Sequence, residues 1–147
     1  MRPARIVGDD GHIMSNLKPQ MLSWMVCDAV HVDPATGKYY LLGVFSQLHV
    51  RAFPAQHPRM VFFLTVAGLS TGKHKLAISY GLPMEAQTKL FEREFEAKNP
   101  MQRISLISEI QGLTFQKAGN YAVSIDVDGE NLLVTSLDVI GPGSNLN

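Results

Sequence analysis

Cysteine is almost missing: Cys27 stands alone, so no disulfide can form within the chain. The fold must rest on its core, and a reducing compartment, the cytoplasm, is the expected location. Excess charge is missing too. Thirteen basic residues balance thirteen acidic ones. Nucleic acid and anionic membranes are therefore not expected partners, because a basic surplus supplies most of the affinity for both. No apolar run is long enough to span a bilayer as a helix. Arg2 and Arg5 are followed by polar Gly8-Asp9-Asp10-Gly11-His12 rather than an apolar stretch, so no signal peptide is read. HExxH, Walker and dinucleotide glycine patterns are all lacking, and no cofactor is expected.

What is present is alternation. Tyr121, Val123, Ile125 and Val127 interleave with Ala122, Ser124, Asp126 and Asp128. Such a period of two places the apolar set on one face of a strand. Asp128-Gly129 then supplies a hairpin turn, and Leu132–Ile140 returns. Ala118-Gly119-Asn120 leads into Tyr121 as a corner, where a tyrosine hydroxyl bonds back to nearby backbone.

Earlier in the chain, Leu22–Val32 reads as a strand apolar on both faces and hence covered on both sides. Asp33–Lys38 is a turn, and Tyr39–Val50 a returning strand in which Gly43 marks a bulge or a close approach. Arg51–Arg59 reads as a loop, since Pro54 and Pro58 both resist a strand interior. Met60–Ala67 is a core strand, and Lys73–Tyr80 alternates as a half-exposed one. Met84–Lys98 has helix-forming residue types, but Leu90–Ala97 also alternates, and the strand is preferred there. Arg103–Gln111 is another strand, with Ile104, Leu106 and Ile110 on one face. Gly112–Gln116 crosses over, with Leu113 and Phe115 placed to plug the core.

About eight short strands at this spacing predict an all-β fold, an antiparallel two-sheet sandwich of immunoglobulin-like or similar Greek-key type. Residues 1–20 read as a flexible leader, with Met14 a possible true start. Residues 21–141 form the single domain and 142–147 a tail.

Cys27-Asp28, Leu41-Leu42-Gly43-Val44-Phe45, Phe53-Pro54 and Gly119-Asn120-Tyr121…Val127-Asp128-Gly129 resemble a family of small bacterial proteins of unknown function, over about Leu22–Ile140. The resemblance implies a β-sandwich and carries no site residues with it.

Four residues are candidates for a site. Asp28 shares parity with Trp24, Val26 and Val30, where an unpaired carboxylate would be costly. It either accepts hydrogen bonds, turns out through a bulge, or acts in a cleft. His57 lies in the proline-rich stretch. Asp126 and Asp128 invite a Ca²⁺ reading, but the spacing of an EF-hand fails and a plain turn explains the same letters. Cys27 reads as an inert core thiol. The expected function is a non-enzymatic module that binds a protein partner or self-associates through an edge strand. The alternatives are a small enzyme whose residues meet only in three dimensions, and a Ca²⁺- or carbohydrate-binding sandwich.

Overall fold

The computed structural model describes residues 18–143, and nine strands account for most of them. In chain order these are β1 (Gln20–Val32), β2 (Tyr39–Val44), β3 (Gln47–His49), β4 (Ala55–Ala67), β5 (Gly72–Gly81), β6 (Thr88–Ala97), β7 (Ile104–Phe115), β8 (Gly119–Val127) and β9 (Glu130–Ile140). They form two sheets, ordered β2-β1-β4-β7 and β3-β9-β8-β5-β6. Every pairing among these strands is antiparallel except β3 with β9.

One apolar cluster joins both sheets. Phe62 and Leu64 of β4 and Leu106 of β7 meet Ile78 of β5 and Ile125 of β8 within it. The alternation of β8 works as the sequence implies: Tyr121, Val123, Ile125 and Val127 are all buried. Tyr121 is a corner residue, its hydroxyl donating to the Lys117 carbonyl at 2.6 Å. Leu113 and Phe115 plug the core, and Phe115 packs edge-on against Tyr121. Residues 88–97 are a strand, not a helix.

Three sequence expectations change. First, the stretch expected as one strand over Tyr39–Val50 is two. β2 ends at Val44, and β3 crosses to the other sheet to pair with β9. Gly43 has φ +71° just before that break. Second, Ala55–Arg59 is not loop but the start of β4, paired with Leu113–Phe115 and Gln111 of β7. β1 reaches β4 only as far as Val61, so Pro58 lies where β4 has one neighbour and a missing N–H costs less. Gly112–Gln116 correspondingly continues β7 as far as Phe115 instead of crossing over. Third, Gln20 pairs with Ala67, so the first strand begins inside the expected leader. The remainder of that leader, residues 1–17, and residues 144–147 of the expected tail lie outside the described residues.

Candidate functional site

The β1–β2 ribbon begins with its turn. Asp33 accepts from the Ala35 amide at 2.9 Å and from the Thr36 hydroxyl at 3.1 Å. Those bonds hold its carboxyl below the usual aspartate range. The Gly37 amide, in the left-handed region at φ +74°, closes on the Asp33 carbonyl. The turn thus fixes a register in which Val32 faces Tyr39 and Ala29 faces Leu42.

β1 parts from β4 after Cys27, so the outer half of the ribbon has no third strand among the described residues. Its Tyr39 leans edge-on against Phe63, with ring centroids 5.2 Å apart, while His31 and Tyr40 stack at 5.9 Å. What remains outward is apolar. Tyr39, Tyr40, Leu42 and Val44 are 39%, 51%, 53% and 55% exposed. Met25 and Val32 of β1 are exposed beside them. β1 is therefore not covered on both sides as its sequence suggests; only Val26 and Cys27 are buried in it. An apolar run signals burial, and here much of that burial is not supplied by the described residues.

The other sheet edges are defended. β6 shows solvent a row of charge, Lys89, Glu92, Arg93, Glu94 and Glu96. At β7, Arg93 donates to the Ile107 carbonyl at 3.2 Å. β3 is three residues long. Charges, covering contacts and short length are the usual devices against unwanted strand addition. β2 contains no charged residue.

Each candidate residue has a definite place. Asp28 is exposed, and its carboxylate folds over Gly43, where any Cβ would collide with it. That explains the glycine as a close approach and removes the buried-carboxylate reading. His57 lies within β4 rather than a loop, opposite Leu113, with its ring 5.8 Å from Phe45. Asp126 accepts from the Asn131 side chain at 2.9 Å. Asp128 and Gly129 have φ +54° and +82°, the hairpin turn that the sequence suggests. Both oxygens of Asp128 are engaged: Oδ2 with His74 Nδ1 at 2.6 Å, Oδ1 with the Lys75 amide at 2.9 Å. Among the described residues no three His, Cys, Asp or Glu side chains gather as metal ligands. Burial pushes the Cys27 thiol up, and the Asp28 charge adds to it, although a backbone hydrogen bond at Ala29 pulls the other way.

His74 is a buried residue that sequence reasoning missed. Its Nε2 lies 2.7 Å from the Ser70 carbonyl, an obligate acceptor, and its Nδ1 faces the Asp128 carboxylate. Both nitrogens must donate to satisfy these partners, which describes an imidazolium. Burial opposes that charge, but the bonds to Asp128 and Ser70 outweigh it and raise the pKa. Asp128 is shifted the opposite way: burial favours its neutral form, and the His74 and Lys75 bonds overcome that and lower its pKa. With every polar atom committed, the pair is a clamp between β5 and the β8–β9 turn.

An open groove of about 590 Å³ runs between β1 and β9, lined by Met21, Ser23, Trp24, Leu132, Leu133 and Thr135 among others. Among the described residues no titratable side chain lines it. No described helix is long and apolar enough to cross a membrane.

Residues 22–140 match a family of unknown function, DUF6941. The chain belongs to this family. The matched span coincides with the stretch whose motifs carry the sequence resemblance. None of the curated proteins matches in sequence. Among solved structures, a beta-glucosidase from Kluyveromyces marxianus is similar at 13% identity and TM-score 0.46, over 68% of this chain and 15% of that one. The Pseudomonas fluorescens alkylpurine DNA glycosylase AlkC, bound to DNA containing an abasic site analog, is similar at 15% identity and TM-score 0.43, over 86% of this chain and 31% of that one. This chain thus spans under a third of either protein, and likenesses this weak carry no argument about its function.

Proposed function

We propose that this DUF6941 member is a non-enzymatic β-sandwich module that assembles with another polypeptide through the edge of β2 that is unpaired among the described residues. One observation carries the reading: β2 is an uncharged edge strand with four large apolar side chains 39–55% exposed. A strand added alongside would satisfy its outward amides and carbonyls, and side chains on the added strand would cover Tyr40, Leu42 and Val44. The two sheets around one shared core, with the β2–β3 step passing between them, support the sandwich description. The groove beside Trp24 has an aromatic floor but no acid, base or paired nucleophile among the described residues, so it offers little to an enzyme reading. The cytoplasm as its compartment rests on Cys27 being the sole cysteine.

Affinity capture with the intact chain, in parallel with Leu42→Lys, tests the reading. The exposed position tolerates lysine, so the melting temperature should stay within a few degrees of the parent. A protein, including further copies of the same chain, should be retained by the parent and lost by the variant. Equal retention by both would overturn the proposal.

A further inference from the structure

We infer that the polypeptide added to β2 is a second copy of this chain, paired antiparallel about a two-fold axis through Leu41. The inference rests on the edge-strand reading above and names its partner. Three observations favour self-pairing. The first is charge. β2 carries none, and Lys38 lies just outside it. Antiparallel pairing centred on Leu41 puts Lys38 opposite Val44 of the second copy. The two lysines then stand six positions apart, about 20 Å or two Debye lengths. Parallel pairing would set them side by side.

The second is register. A two-fold perpendicular to a sheet must pass through a residue paired with itself, because opposed residues share a face. Centring on Leu42 would oppose Tyr39 to Phe45, beyond the end of β2, where the chain leaves for the other sheet. Centring on Tyr40 would draw Gly37 of the turn into the pairing. Centring on Leu41 opposes Tyr40 to Leu42 and Tyr39 to Gly43, all within β2. The exposed row Tyr40, Leu42 and Val44 then continues into the same row of the second copy.

The third is closure. A two-fold contact uses the same edge on both copies and leaves it saturated. With β3 short, β6 charged and β7 capped by Arg93, assembly stops at two. The product is a continuous eight-stranded sheet, β7-β4-β1-β2 joined to its mirror order.

The register is testable by charge exchange. The purified full chain should sediment at twice its 16.2 kDa mass. Tyr40→Lys and Leu42→Glu each place a charge against an apolar side chain, and each should weaken the dimer at least tenfold. Combined in one chain, they set the new ammonium of each copy against the new carboxylate of the other, twice across the axis, and should restore dimerisation. Both positions are exposed, so circular dichroism melts should remain close to the parent. A parent that is monomeric at about 100 µM, a range where specific association would show, overturns the second copy as partner. So does a dimer unaffected by the single substitutions, or a double variant no better than the singles. If the parent is monomeric yet retains another protein that Leu42→Lys loses, the edge-strand reading survives and only the second copy fails. If neither association is seen, both fall.

Discussion

At the residue scale, polar groups at the core boundary are the most informative. His74 is 8% exposed and ionised through Asp128, which is itself about half exposed. The folded pKa of His74 is raised, so its stabilisation is complete below the unfolded value of about 6.5 and is lost as pH rises through the folded value. The folded pKa of Asp128 is lowered. Its stabilisation is complete above about pH 4 and is lost as pH falls through the folded value. The clamp is therefore fully formed from about pH 4 to 6.5. Asp128→Asn keeps a residue type that tolerates φ +54° and removes the charge. It should cost about 1 kcal/mol near pH 5.5, discounted for the exposure of Asp128. Urea melts should show that gap narrowing as pH rises above about 6.5 and through the raised folded pKa of His74; a constant gap would mean that the charge on His74 is irrelevant. Tyr121→Phe strands the Lys117 carbonyl and should lower stability by about 1–2 kcal/mol. Ser108 is the converse case. Its hydroxyl is buried and has no partner among the described residues. Ser108→Ala should leave stability unchanged or raise it by about 1 kcal/mol, and a clear loss would reveal a bond to that hydroxyl.

At the element scale, pairing overrides local propensity. Ala55–Arg59 and Gly112–Phe115 each look unlike strands, one through Pro58 and the other through Gly112 at φ +67°. They extend β4 and β7 by pairing with each other, and residues of each are buried by that pairing. The β1–β2 ribbon shows the opposite balance, strand-like in most of its residues yet only partly buried. Its geometry depends on Gly43, where φ is positive and Asp28 occupies the side-chain space. Gly43→Ala meets both obstacles and should cost about 2 kcal/mol or more. Adding Asp28→Ala to it should recover part of the loss, because one of the two obstacles has gone. If the double variant is no more stable than Gly43→Ala alone, the close approach is not what the glycine serves.

At the scale of the whole molecule, the start of β1 is tied to the core by strand pairing. Gln20 and Met21 pair with Ala67 and Val66, and a side chain at Gly68 would strike the Lys18 carbonyl. A chain beginning at Leu17 should melt within a few degrees of the full protein. One beginning at Ser23 loses both pairs and should melt at least about 5 °C lower, since a loss of about 1 kcal/mol moves a domain of this size by several degrees. Equal melting temperatures for the two would show that the start of β1 adds nothing.

The sequence by itself determined the strands of strict alternation, above all β5 and β8, because a period of two admits only one face toward the core. It determined the turns at Asp33 and Asp128, whose side chains and following glycines leave the backbone few choices, and the corner at Tyr121. A resemblance to a family of unknown function over Leu22–Ile140 was legible in short motifs such as Leu41–Phe45 and Gly119-Asn120-Tyr121, and the family matched over residues 22–140 is of unknown function. Tertiary structure alone decided the rest. Whether an apolar run such as Tyr39–Val44 is buried depends on which strands reach it, and β4 does not follow the ribbon past Cys27. Asp28 is an anomaly only on a strand covered on both faces, and β1 is not such a strand. His74 and Asp128 are 54 positions apart and have no spacing to betray them. They meet because β5 and β8 are neighbours, and neighbouring strands are chosen by the packing of the whole core rather than by either strand's own residues.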